Sequence, residues 1–178
     1  MTTSDKNDKT TIFSESMLLA IHESGHALLA HYFGRRPSID LTANDDILGT
    51  TWIGVELKDL VSTKSSIDEI NEVVANEIAM IIGGYCSERI IGNRDNPIGA
   101  SNDEAKMNDL VIGLQEIFFP DDPAQQKIWR DMILNRARNL ALELISKHRS
   151  IVLKLAIEAD KKIKLSVDEV ATLLGMLN

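Results

Sequence analysis

Apolar positions in this chain recur mostly three or four residues apart, and residues that favour helix starts stand at the breaks between the runs. The first such run extends from Ser14 to Phe33 and stops at Gly34, with Ser14 or Ser16 placed to cap it. Residues 37–55 read differently. Ile39 and Leu41 alternate with Ser38 and Asp40, Asn44-Asp45-Asp46 marks a turn, and 50–55 are rich in β-formers, so a hairpin or two short strands is predicted. Ser66 with Glu69 has the spacing of a capping box and opens a helix over 67–91 that Gly92-Asn93 ends. A loop with Pro97 and Gly99 follows, and Ser101 with Glu104 repeats the capping pattern for a helix to about Ile117. Beyond the break at 118–123, helices are predicted over 124–147, 150–159 and, from Ser166 with Glu169, to Leu174. The fold expected is mainly α, with a small β-hairpin or short sheet beside the first helix and a C-terminal helical bundle. Residues 1–13 read as a disordered tail. Residues 14–178 read as one domain with halves at 14–117 and 124–178.

Composition narrows the classes. Hydrophobic residues at 44% and charged residues at 26% suit a globular core, and aromatics at 4% leave that core to Leu, Ile, Val, Ala and Met. A formal charge of −8 without a Lys/Arg cluster argues against a nucleic-acid partner. The longest near-apolar run, 78–86, is about half of what a membrane span needs. The lone Cys86 forms no internal disulfide and asks for no oxidising compartment, so a cytoplasmic location without membrane contact is expected.

The chemistry is concentrated in His22-Glu23-Ser24-Gly25-His26. On a helix, residues four apart lie about 40° apart around the axis and one turn apart along it, so both imidazoles reach one ion. Glu23, about 100° from His22, stands near that ion without entering its shell and can take a proton from a polarised water. The plain alternative is a helix face with two ordinary histidines and a surface glutamate. A hydrolytic zinc site wants a third protein ligand and one open position. His31 lies about 140° off the needed face. A longer motif with a third histidine is excluded by Leu29 and Tyr32. Glu77 and Asp103 remain, and spacing does not separate them.

A resemblance does. Ala20-Ile21-His22-Glu23-Ser24-Gly25-His26-Ala27 resembles the active-site helix of the FtsH-type ATP-dependent zinc proteases. Gly83-Gly84-Tyr85-Cys86-Ser87-Glu88-Arg89-Ile90-Ile91-Gly92 resembles that family's second motif, and Gly99-Ala100-Ser101-Asn102-Asp103 its third. The order and gaps agree, and the likeness covers about 14–174. It implies zinc on His22, His26 and Asp103, with Glu23 as general base of an endopeptidase acting on peptides or unfolded proteins. Tyr85, Cys86, Ser87 and Arg89 depart from the second motif at positions that hold no metal in the family. No Gly-x-x-x-x-Gly-Lys-Ser/Thr phosphate loop occurs in the sequence. The expectation is therefore a free-standing peptidase domain, or a piece that works with a separate ATPase partner, and similarity to a ring-forming family implies a homo-oligomer.

The rival expectation is a catalytically silent relative, a metal-binding adaptor whose site is closed by Cys86 or Glu77. Glu23 has no purpose in such a site. Four smaller expectations complete the reading. Gly83-Gly84 serves close packing in preference to a kink. Cys86 is core. His148 is solvated or complements a helix dipole. The strand at 50–55 is an edge that needs no further role with Trp52 packed in the core, the alternative being that it pairs with an extended peptide.

Overall fold

The structure is a computed structural model and describes residues 13–42, 50–52, 64, 66–94 and 100–175. The tail expected over 1–13, apart from Phe13, lies outside the described residues, as do the turn at 44–46, the end of the strand at 53–55 and the loop at 95–99. Seven helices are described: α1 (Glu15–Tyr32), α2 (Ile67–Ile81), α3 (Gly83–Ile90), α4 (Ala100–Phe118), α5 (Pro123–Lys147), α6 (Arg149–Lys162) and α7 (Val167–Leu174). Three short strands, β1 (Ser38–Asp40), β2 (Thr50–Trp52) and β3 (Lys164–Leu165), form an antiparallel sheet in the order β2-β1-β3. The protein is mainly α with a short sheet, and no described helix is long and apolar enough to cross a membrane.

The helix ends follow the sequence closely. Ser14 accepts the amide of Met17 and caps α1. Gly34 closes the helix at φ 78, where the Arg35 amide reaches Ala30 O at 2.8 Å and the Gly34 amide reaches His31 O at 2.9 Å. These are the paired bonds of a Schellman end, in which an L side chain at that φ would be strained. Both arms of the capping box are present at Ser66–Glu69 and at Ser166–Glu169. The Ser101–Glu104 box is a correction. α4 already begins at Ala100, so Ser101 lies inside the first turn and is not its cap. The single helix expected over 67–91 is also corrected, because the chain turns at Ile82 (φ −89, ψ 0) and divides into α2 and α3.

α1 is the centre of the molecule. Every residue from Ala20 to Ala30 is buried, so the helix is enclosed on all sides rather than along one stripe. α3 and α6 lie against it, while α2 packs on α5. A single hydrophobic cluster joins Leu28 of α1, Ile78 of α2, Ile133 and Ile145 of α5, Leu155 of α6 and Leu174 of α7. The stretches before and after residue 120 thus share one core. Ile39 is the buried centre of β1 and pairs with Thr51 on one side and Leu165 on the other. β2 is an edge strand among the described residues, in line with the expectation for 50–52. β3 was not expected. It is two residues long and follows Ile163, whose φ of 68 turns the chain at the end of α6.

Candidate metal centre

Because α1 is buried all round, the charged and ring groups it carries lie away from water, where lack of a partner is costly. His22, Glu23 and His26 are all at least nine-tenths buried. Room for them comes from glycines. A Cβ on Gly84 would collide with Nε2, Cδ2 and Cε1 of the His22 ring, and one on Gly25 would strike Ser87 and the Gly83 carbonyl. α3 therefore rests directly on α1: the close packing expected of Gly83-Gly84 is present, and the chain also turns just before the pair, at Ile82, which the preference for packing over a kink did not anticipate.

This contact sets the histidines. His22 Nδ1 lies 2.7 Å from Glu88 Oε1, and the Glu88 side chain is fully buried. His26 Nδ1 lies 2.7 Å from the Met80 carbonyl oxygen and 3.4 Å from the Gly84 amide nitrogen. A carbonyl only accepts, and the shorter contact decides, so the proton of His26 resides on Nδ1. In both rings Nδ1 is engaged and Nε2 is left to face inward, as metal-ligating histidines are usually arranged.

Asp103, three residues into α4, completes the group. Its Oδ2 lies 3.1 Å from His22 Nε2 and 3.2 Å from His26 Nε2, and the two Nε2 atoms are 3.0 Å apart. Although close to both rings, this buried oxygen has no partner in hydrogen-bonding geometry. Tetrahedral zinc with bonds of about 2.0–2.1 Å separates its ligand atoms by about 3.3 Å, only slightly wider than this triangle. Three buried carboxyl groups, Glu23, Glu88 and Asp103, share the cluster with two imidazoles, a balance that a divalent cation offsets. The buried His22, His26 and Asp103 group could hold a metal ion.

Other candidates fall elsewhere. Glu77 Oε2 is 2.9 Å from Arg35 Nη2 in a largely buried pair, and burial raises its pKa in spite of that cation. Cys86 is buried core, with a thiol pushed up to about 11 by burial, and does not join the group. His148 is partly buried between α5 and α6. Burial, then Lys147, lower its pKa, which disfavours the cationic form that would complement a helix dipole. Glu88 and the Met80 carbonyl were not singled out in the sequence. The signal for Glu88 was its place four residues after Gly84, on the helical face that the glycine lets approach α1.

In the metal-free chain a proton lies among these groups. Burial opposes charge on His22, but the carboxylates of Asp103 and then Glu88 beside it outweigh that and raise its pKa to about 9. Burial would raise Asp103, but contacts with His22 and then His26 hold it well below the usual carboxylate range. A histidine pKa raised on folding contributes stability that is complete below about 6.5 and lost as pH rises to about 9. Chelator-treated protein is expected to lose about 3 kcal/mol of unfolding free energy across that interval. Urea titrations at pH 6 and pH 9.5 measure it. Flat stability would show that His22 is neutral in the metal-free state.

Comparison with models of protein families and with curated proteins finds no match to this chain.

Proposed function

We propose that the chain is a zinc-dependent endopeptidase of the FtsH-type peptidase kind, acting on peptides or unfolded proteins. The observation that carries the reading is the convergence of His22 Nε2, His26 Nε2 and Asp103 Oδ2 on one point, with Glu23 buried beside them on the same helix. His22, His26 and Asp103 would hold the ion, which supplies Lewis acidity toward water and toward the scissile carbonyl. Glu23 is the proton carrier. It takes a proton from the attacking water as the C–O bond forms and delivers it to the amide nitrogen as the C–N bond breaks. Glu88 and the Met80 carbonyl keep both rings aimed while this happens. The group has three members among the described residues, whereas structural zinc sites usually close with four. That count favours an open, catalytic position over the adaptor reading. The expected substrates are already unfolded, delivered by a separate ATPase or taken up by a homo-oligomer of this chain.

Cleavage of casein with added zinc, with and without chelator, tests the proposal beside Glu23→Gln. The variant is expected to retain metal and lose about 10²–10⁴-fold in turnover. Chelator-resistant cleavage, or a Glu23→Gln chain as active as the parent, would refute it. Bound metal with no cleavage under any condition would favour the adaptor.

A further inference from the structure

α5 has a face that the metal centre does not use. The buried residues of this helix, from Trp129 to Ile145, take up one side of it. The opposite side is open to solvent, with Asn135 at its middle and Ile128 and Met132 exposed on it at 61% and 46%.

This open side matches itself about Asn135. At about 100° per residue, Ala124, Ile128, Leu142 and Ser146 all fall within about 20° of the line through Asn135. Ile128 and Leu142, both large and apolar, stand equally far from Asn135 in opposite directions, and so do the small Ala124 and Ser146. Asp131 and Arg138 lie about 40° and 60° off the line, on the same flank, one before Asn135 and one after it. Arg138 is exposed and makes no hydrogen bond or ion pair with other described residues. Asp131 meets Lys127 at 2.6 Å, but both side chains are at least half exposed, so that pair contributes little. A face that reads alike in both directions suits an isologous contact, in which one residue meets a second and the second meets the first.

We propose that the chain forms a two-fold dimer by antiparallel pairing of α5, with the axis at Asn135. Ile128 packs on Leu142 of the second copy, Ala124 opposes Ser146, and the two Asn135 amides face each other, each able to donate and accept. Across such an axis a flank meets the same flank of the other copy, so Asp131 pairs with Arg138 twice. An acidic or a basic partner would satisfy one of these two charges, whereas a second copy satisfies both. No residue of the face belongs to the metal-binding group, and the proposal stands without the peptidase reading.

Sedimentation velocity of the full chain over about 1–500 µM tests this. A reversible monomer–dimer equilibrium is expected, because one helix face is a small interface. Ile128→Glu should raise the dissociation constant about tenfold or more. Asp131→Arg and Arg138→Asp should each do the same, since each sets like charges against one another in both pairs. The double variant exchanges the two charges and should dimerise as the parent does, which reciprocal pairing alone requires. All three side chains are exposed, so thermal melts should show the variants folded. Asn135→Asp, which sets two carboxylates across the axis, repeats the test without touching the ion pairs. A monomer throughout the range, an assembly of more than two copies, or a dimer indifferent to Ile128→Glu would overturn the proposal. So would a double variant that fails to recover.

Discussion

Asp103→Ala is expected to lower zinc affinity by about two orders of magnitude, the largest loss of any single carboxylate substitution in the chain. The magnitude follows from structural zinc sites, where about 10–16 kcal/mol is shared among four ligands, or about 3 kcal/mol each. The variant leaves two imidazole nitrogens and no anionic ligand. Glu88→Gln should be intermediate, about 10–100-fold, because it loosens the grip on His22 Nδ1 without removing a ligand. Glu77→Ala should leave affinity unchanged, since that carboxylate faces Arg35 and not the imidazoles. Its cost should appear in stability, where a buried guanidinium loses its counter-charge. Competition against a chromophoric chelator gives all three affinities. An Asp103→Ala chain that binds zinc like the parent, or a Glu77→Ala chain that does not, would mean that the third ligand has been misassigned.

The separation of Asp103 from Glu77 marks how far the sequence could be read. His22, Glu23 and His26 were legible because helical geometry alone puts them together, and α1 is a helix from Glu15 to Tyr32. Asp103 is 77 positions beyond His26, and spacing gave it no advantage over Glu77. Only the resemblance favoured it before the structure brought its Oδ2 to the two rings. Glu88 escaped because its role exists only across the α1–α3 contact. The Met80 carbonyl escaped because backbone acceptors leave no mark in side-chain identity. Helix boundaries were legible wherever a side chain announces them, as at Ser14, Ser66 and Ser166. They failed at Ile82, where apolar periodicity continues through a turn, and at Ser101, where a capping pattern falls inside a helix already begun. The two-residue strand β3 is too short for any periodicity to reveal.

Gly84→Ala should damage fold and site together, while the same substitution at Gly113 should stabilise. Alanine is the better helix former by about 1 kcal/mol at both positions, so propensity predicts a gain in each. Space reverses the sign at one of them. At Gly113, exposed on α4, an added Cβ meets nothing within 4 Å, and the gain of about 1 kcal/mol should appear in full. At Gly84 the added carbon collides with Nε2, Cδ2 and Cε1 of the His22 ring, closer than real Cβ atoms approach. The ring cannot swing aside without stretching the 2.7 Å contact to Glu88, whose side chain is fully buried. α3 cannot lift away without opening the Gly25–Gly83 contact that seats it on α1. Overpacking of this kind costs about 1–3 kcal/mol, enough to outweigh the propensity gain. Displacement of His22 Nε2 should also cost zinc affinity, as loss of an orienting partner does, by about 10–100-fold. Melting both variants in chelator and then titrating them with zinc separates the two effects. A Gly84→Ala chain as stable as Gly113→Ala would show that α3 does not bear on His22. One that is destabilised yet binds zinc normally would show that the ring keeps its aim without the close helix contact.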